Sequence, residues 1–118
     1  MKYINLILIL FIIITSCNLD KRDLGDGYNL FINGSRVYLT HKNKIIINNR
    51  VIKTNFNEEF ILVYRIIVEG DLNKIGVYQF FIIDKNHSAI HGPLTFDEYL
   101  TKRESLKVKN DLRLNIDI

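Results

Sequence analysis

The chain has 118 residues, with 16 lysines and arginines against 13 aspartates and glutamates, and a formal net charge of +3. That small excess of positive charge comes without a basic cluster, so we expect no nucleic-acid partner. The single cysteine excludes an internal disulfide, and the length fits one domain built around one core.

Residues 1–17 have the layout of a secretory signal. Lys2 supplies a positive charge, residues 6–14 form an unbroken apolar run, and Cys17 follows two small residues. A charged start, an apolar middle of roughly 7–15 residues and small residues at the cleavage site are the three parts of such a signal. A membrane-spanning helix needs roughly 20 apolar residues, so the pattern favours a cleaved signal over an uncleaved anchor or a core helix.

The residues before Cys17 resemble the lipobox of bacterial lipoprotein precursors. Ile14, Thr15 and Ser16 supply the aliphatic residue and the two small residues that precede the cysteine in that motif. The resemblance implies that the Cys17 thiol receives a diacylglycerol, that the chain is cut before Cys17, and that the new amino terminus is a further acylation site. We therefore expect a signal peptide over residues 1–16 and lipid anchoring on the non-cytoplasmic side of a bacterial membrane.

The next stretch, residues 17–27, is mostly polar. We expect it to hold the lipidated Cys17 and a short tether, although a plain loop would have the same composition. A single β-rich domain would then occupy residues 28–118.

The alternation of apolar and polar residues in this domain predicts about seven short strands. Asn33-Gly34 is a strong hairpin signal because both residues tolerate positive φ. Two of the strands are apolar on both faces, as is typical of central strands, and we expect these two to pair as an antiparallel hairpin. The predicted strands cover residues 28–32, 36–40, 44–47, 51–56, 60–69, 77–83 and 88–91, the last ending at Gly92-Pro93.

The last predicted element is a helix that begins after Thr95. Thr95 and Glu98 have the spacing of a capping box. An apolar stripe should lie across one face of the central strand pair, and it consists of Phe96, Tyr99, Leu100 and Leu106. Residues 113–118 alternate in a way that fits either an edge strand or a tail.

The predicted fold class is therefore α+β: a mostly antiparallel β meander of about seven short strands closed by one C-terminal helix. One helix covers one face of the sheet. The other face needs the sheet to curl on itself or a partner to cover it.

Residues with catalytic or metal-binding potential are few. His87 and His91 lie four positions apart, but no further cysteine or histidine pattern completes a tetrahedral zinc site. Asp84, His87 and Ser88 fall within five positions, where they cannot all face one another as a catalytic triad requires, and turns favour these residue types. We expect no enzyme activity, no catalytic or metal-binding residue and no cofactor.

Motifs along the domain resemble those of a family of short bacterial lipoproteins classed as a domain of unknown function. They are the strand end Ile82-Ile83-Asp84-Lys85, the sequence Gly92-Pro93-Leu94-Thr95 that opens the last helix with Glu98, and the stretch over residues 51–61. The resemblance covers most of the chain after Cys17. It implies the fold and export, and it implies no chemistry.

The sequence thus predicts a membrane-anchored, non-catalytic lipoprotein that binds a protein partner at the cell envelope, where an immunity or inhibitor role would fit. The alternative is a small ligand-binding lipoprotein or an envelope enzyme whose site no motif reveals. Tyr38, Tyr64 and Tyr78 fall on predicted strands. Such aromatic residues belong either to the core or to an adhesive face, and the core is the default expectation.

Overall fold

The structure is a computed structural model, and it describes residues 20–34, 36–48, 51–67 and 76–115. Within these ranges the chain forms eight β-strands and one helix. This confirms the predicted fold class, a mostly antiparallel α+β domain. The elements are β1 (Asp20–Gly25), β2 (Tyr28–Asn33), β3 (Arg36–His41), β4 (Lys44–Ile47), β5 (Val51–Phe56), β6 (Phe60–Ile67), β7 (Val77–Asp84), β8 (Ala89–Leu94) and α1 (Phe96–Leu106).

The strands form two antiparallel sheets, each with its strands in chain order. The first sheet has the order β1-β2-β3-β4, and the second has the order β5-β6-β7-β8. At the centre of the second sheet, β6 and β7 pair without interruption from Phe60 opposite Asp84 to Ile67 opposite Val77. The pairing of the two strands that are apolar on both faces is therefore as predicted.

The two sheets share one apolar core, which we call the sandwich core. Alternate residues of β6 and β7 point into it because successive side chains of a strand face opposite sides of the sheet. The first sheet thus covers the face of the second sheet that lies opposite the helix. The sequence predicts that a curled sheet or a partner covers this face. The sandwich core consists of Leu24, Tyr28, Leu30, Leu39 and Ile47 from the first sheet and Val51, Ile61, Val63, Phe81 and Ile83 from the second.

The other residues of β6 and β7 face the opposite side, where they form a second cluster that we call the helix core. Tyr99 is the member that α1 contributes, and two more members lie in the segment after the helix. Helix α1 and that segment therefore form a third layer on the second sheet. The helix core consists of Phe60, Leu62, Tyr64, Phe80, Ile82, Tyr99, Val108 and Leu112.

Helix α1 begins with the predicted capping box. The Thr95 Oγ1 accepts a hydrogen bond from the Glu98 amide at 3.2 Å, and the Glu98 Oε1 accepts one from the Thr95 amide at 2.9 Å. The helix ends at Lys107, which takes a left-handed conformation and donates its amide to carbonyls of the last turn, a common way to close a helix.

The apolar stripe of α1 is only partly as predicted. Tyr99 is buried and Leu106 packs against the helix core. Phe96 and Leu100, in contrast, are each 44 % exposed. The helix is rotated about its axis so that the row of Tyr99 and Leu106 faces the sheet, while Phe96 and Leu100 lie on its flank.

Two local predictions are wrong. Residues 20–25, expected to belong to the tether, form β1, because Leu24 is fully buried in the sandwich core and the strand pairs with β2. Gly92-Pro93, expected to end the last strand, lies inside β8. Glycine fits there because a Cβ would sit 2.8 Å from the Phe80 carbonyl oxygen, and proline is tolerated because β8 is an edge strand.

Several predicted features fall partly or wholly outside the described residues. These are the signal peptide, Cys17, the last two residues of the strand predicted over residues 60–69 and the last three residues of the chain. Residues 113–115 form no strand. In the part of the chain that the structure describes, no helix has both the length and the hydropathy to cross a membrane.

Candidate functional site

An open groove of about 900 Å³ runs between α1 and the segment that follows it. Its apolar side is formed by Phe96, Leu100, Val108 and Leu114. Three cationic side chains and one carboxylate also line it, and these are Arg103, Lys107, Arg113 and Glu104. The groove therefore combines exposed apolar surface with an excess of positive charge.

The segment after α1 is fixed by polar contacts with β5. The Asn55 amide donates a hydrogen bond to the Arg113 carbonyl at 2.8 Å, and the Lys53 Nζ donates to the Asn115 carbonyl. Two apolar residues of the same segment, Val108 and Leu112, lie in the helix core, so polar and apolar contacts together hold the segment against the second sheet. The segment lies beside α1 without covering Phe96 and Leu100, so the groove between the segment and the helix stays open.

A row of aromatic rings connects the sheet to the groove. The ring of Tyr64 lies 5.4 Å from that of Tyr78 and 5.1 Å from that of Phe80, and Phe80 lies 5.0 Å from Tyr99 and 5.5 Å from Phe96, measured between centroids. Burial raises the pKa of Tyr64 and of Tyr99. The default expectation that strand tyrosines are core residues is confirmed for Tyr64, whereas Tyr78 is exposed.

Sequence reasoning missed a buried cation at the opposite side of the second sheet. Lys85 is only 8 % exposed, and its Nζ donates to the carbonyls of Leu24 and Asn57, the latter at 2.7 Å. A Cβ at Gly25, whose φ is +88°, would lie 2.9 Å from this Nζ. Burial lowers the pKa of Lys85 and nearby carboxylates oppose that change. Lys85 thus links β1 to the second sheet, a role that the position of a lysine between two predicted strands does not indicate.

The histidines have three different environments. His41 stacks on buried Tyr28, with 3.8 Å between ring centroids, His91 is half-buried, and exposed His87 places its Nδ1 2.8 Å from the Asp84 Oδ2. No group of three or more histidine, cysteine, aspartate or glutamate side chains within the described ranges could hold a metal ion.

Of Asp84, His87 and Ser88, which lie within five positions in the sequence, the structure brings two side chains into contact. Asp84 and His87 form the pair described above, across the turn between β7 and β8. Ser88 lies in the same turn, where its amide donates to the Lys85 carbonyl at 3.4 Å. Both contacts therefore belong to the turn between β7 and β8.

A family model described as a protein of unknown function (DUF3997) matches residues 25–118. The chain belongs to the DUF3997 family. This confirms the expected membership in a family classed as a domain of unknown function. No curated protein and no solved structure matches the chain. In this DUF3997 member, Gly92 and the Thr95–Glu98 cap, two parts of the motif that carried the resemblance, serve the path of β8 and the start of α1.

Proposed function

We propose that this DUF3997 protein is an exported bacterial lipoprotein, anchored by lipid at Cys17, that binds a protein partner at the cell envelope without catalysing a reaction. The observation that carries the anchor is Ile14-Thr15-Ser16-Cys17 behind an apolar run. Strand β1 begins at Asp20, three positions after Cys17. Since an extended chain spans about 3.3–3.6 Å per residue, the lipid would hold the folded domain close to the membrane.

The surface that best supports a protein partner is the groove along α1. Phe96 and Leu100 are both 44 % exposed at its side. Exposed apolar residues rimmed by polar ones are typical of protein-binding surfaces. Arg103, Lys107 and Arg113 give the groove positive charge, so the chemistry that fits it is an amphipathic protein segment carrying carboxylates.

The size of the groove also favours a second candidate function. A volume of about 900 Å³ lies within the range of small-molecule sites, roughly 300–1,000 Å³. A small ligand-binding lipoprotein would place an amphiphilic anion in the same groove. The two candidates differ in what occupies the groove and share the anchor.

The anchor is tested by substituting Cys17→Ser in the full chain and comparing it with Ser105→Ala, which changes an exposed helix residue. We expect the unsubstituted protein and the Ser105→Ala control in the membrane fraction, with mass spectrometry showing an acylated Cys17 at the amino terminus. Two or more acyl chains give lasting attachment, so Cys17→Ser should be unanchored or unprocessed. An unmodified soluble protein that begins elsewhere would contradict the anchor.

The occupant of the groove is tested by site-specific photo-crosslinking. A photoreactive residue at Leu100 should capture an envelope protein, while the same residue at Ile45, 59 % exposed on the first sheet, should not. Equal labelling from both positions would contradict a protein partner at the groove. Native mass spectrometry on the same detergent-solubilised protein would reveal a bound small molecule, and such a molecule without a protein crosslink would replace the first candidate by the second.

A further inference from the structure

The strand register places two sets of turns at opposite ends of the first sheet. Asp20 pairs with Ile32, and Asn33 pairs with Arg36, so the start of β1 lies beside the β2–β3 turn. We call this the anchor end. The β1–β2 turn and the β3–β4 turn lie at the other end, which we call the far end. Strand β1 has six residues, so about 20 Å separates the two ends at 3.3 Å per residue.

The anchor end exposes apolar, aromatic and cationic side chains together. Ile32 is 37 % exposed, and the half-buried rings of Phe31 and Tyr38 stack with 5.6 Å between centroids. The Nζ of Lys21 lies 5.9 Å from the centroid of Phe31, and Arg36 is exposed beside the turn.

Charge at this end is mostly positive. The strand pairs from Asn33–Arg36 to Arg22–Leu30 form this end of the first sheet. Their described residues include three cations, Lys21, Arg22 and Arg36, and one carboxylate, Asp20. Aromatic rings and long cationic side chains are the groups that settle at a membrane–water interface. Anionic lipid headgroups attract such cations with about 1 kcal/mol each.

We infer that the anchor end is a membrane-docking surface for an anionic phospholipid bilayer, with Lys21 and Arg36 against the lipid phosphates and Ile32, Phe31 and Tyr38 at the headgroup level. The inference rests on the proposed lipid anchor at Cys17. From there to Asp20 the chain reaches about 11 Å at most, so the anchor holds this end within reach of the bilayer.

The first test uses a fluorescent reporter, since the chain has no tryptophan. Full-length lipidated protein carrying Ile32→Trp, or Lys44→Trp as the far-end control, is placed in vesicles of phosphatidylcholine with phosphatidylglycerol and brominated lipid. We expect strong quenching and a blue-shifted spectrum for Ile32→Trp and neither for Lys44→Trp. Equal quenching at both positions, or none at position 32, would overturn the docking surface.

The second test separates docking from anchoring. Unlipidated Cys17→Ser protein is sedimented with vesicles that contain phosphatidylglycerol or only phosphatidylcholine. We expect weak binding to the anionic vesicles alone, reduced by salt. The pair Lys21→Glu and Arg36→Glu should weaken it by at least about fivefold per reversed charge.

The matched control reverses two charges elsewhere, with Lys44→Glu at the start of β4 and Lys109→Glu beside the β5–β6 turn, and should bind as before. If the control variant loses as much vesicle binding as the Lys21→Glu and Arg36→Glu pair, net charge alone explains the loss. The proposal of a docking surface at the anchor end would then be wrong. An acylated Cys17 without quenching at position 32 would overturn docking and leave the anchor intact. Anionic vesicle binding that depends on Lys21 and Arg36, with an unmodified Cys17, would support docking and overturn the anchor.

Discussion

The two faces of the β6–β7 hairpin are buried in different ways. On one face, the sandwich core draws side chains from seven strands, β1 to β7. On the other, among the described residues, the helix core draws them from β6 and β7 and from Tyr99, Val108 and Leu112 of the C-terminal layer, with Leu106 and Leu114 partly buried against it. Seven strands contribute to the sandwich core, whereas the helix core depends on two strands and the C-terminal layer. The helix layer should therefore open at lower free energy than the sandwich, as local unfolding does in other proteins.

The largest expected effect of a single substitution lies in the sandwich core. Leu39 is fully buried in β3, which pairs with both β2 and β4. Leu39→Ala removes buried methyl groups and leaves a cavity, so we expect a loss of roughly 2–5 kcal/mol in the free energy of unfolding. Urea denaturation measures this loss. The control Ile45→Ala, at a position 59 % exposed in the neighbouring strand, should change it little, and similar losses from the two variants would contradict the described sandwich.

A more local effect, near the middle of that range, is expected in the helix core. Tyr99→Ala removes the one α1 side chain of this core and a hydroxyl that accepts a hydrogen bond from Arg103 at 3.2 Å, so it should cost roughly 3 kcal/mol. Phe96→Ala should cost about 1 kcal/mol because Phe96 is 44 % exposed. The apolar stripe in the sequence instead predicts that Phe96 packs against the strand pair, where its loss would cost more.

Hydrogen exchange shows where the Tyr99→Ala effect falls. The amides of α1 should exchange faster in this variant, while those of β2 and β3 keep their protection. Lys102→Ala, a change at a half-buried lysine of the same helix, is the control and should leave exchange unchanged. Equal acceleration in both layers would mean that the two cores unfold together and that the helix layer is not the weaker one.

Local signals in the sequence predicted the elements, and long-range packing decided the rest. The Thr95–Glu98 cap and the two-faced strands could be predicted because each depends on residues close in the chain. The strand at residues 20–25 could not, since its charged sequence is held by one buried leucine, Leu24, and by pairing with β2. The burial of Lys85 arises from carbonyls 61 and 28 positions away, and the groove arises from the rotation of α1. Neither leaves a pattern in the local sequence.

The smallest expected effect is a loss of stability in alkaline solution, unequal between the two cores. Burial raises the pKa of Tyr28, in the sandwich core, and of Tyr64 and Tyr99, in the helix core, from the ordinary value of 10.0. Above that value the unfolded chain releases these protons while the folded chain keeps them, so stability falls as pH rises. Lys85 acts in the opposite direction, because its lowered pKa lets the folded chain release a proton before the unfolded one.

Among the described residues, three tyrosines with raised pKa values oppose one lysine with a lowered pKa, so we expect the melting temperature to fall as the pH rises through about 10. Tyr99→Phe should flatten this decline, and Ser105→Ala, at an exposed position with no group that titrates near pH 10, should leave it as it is. Because two of the three tyrosines belong to the helix core, hydrogen exchange in α1 should accelerate at a lower pH than exchange in β2 and β3. A decline that Tyr99→Phe does not change, or one that begins in the first sheet, would show that the helix layer is not the weaker of the two.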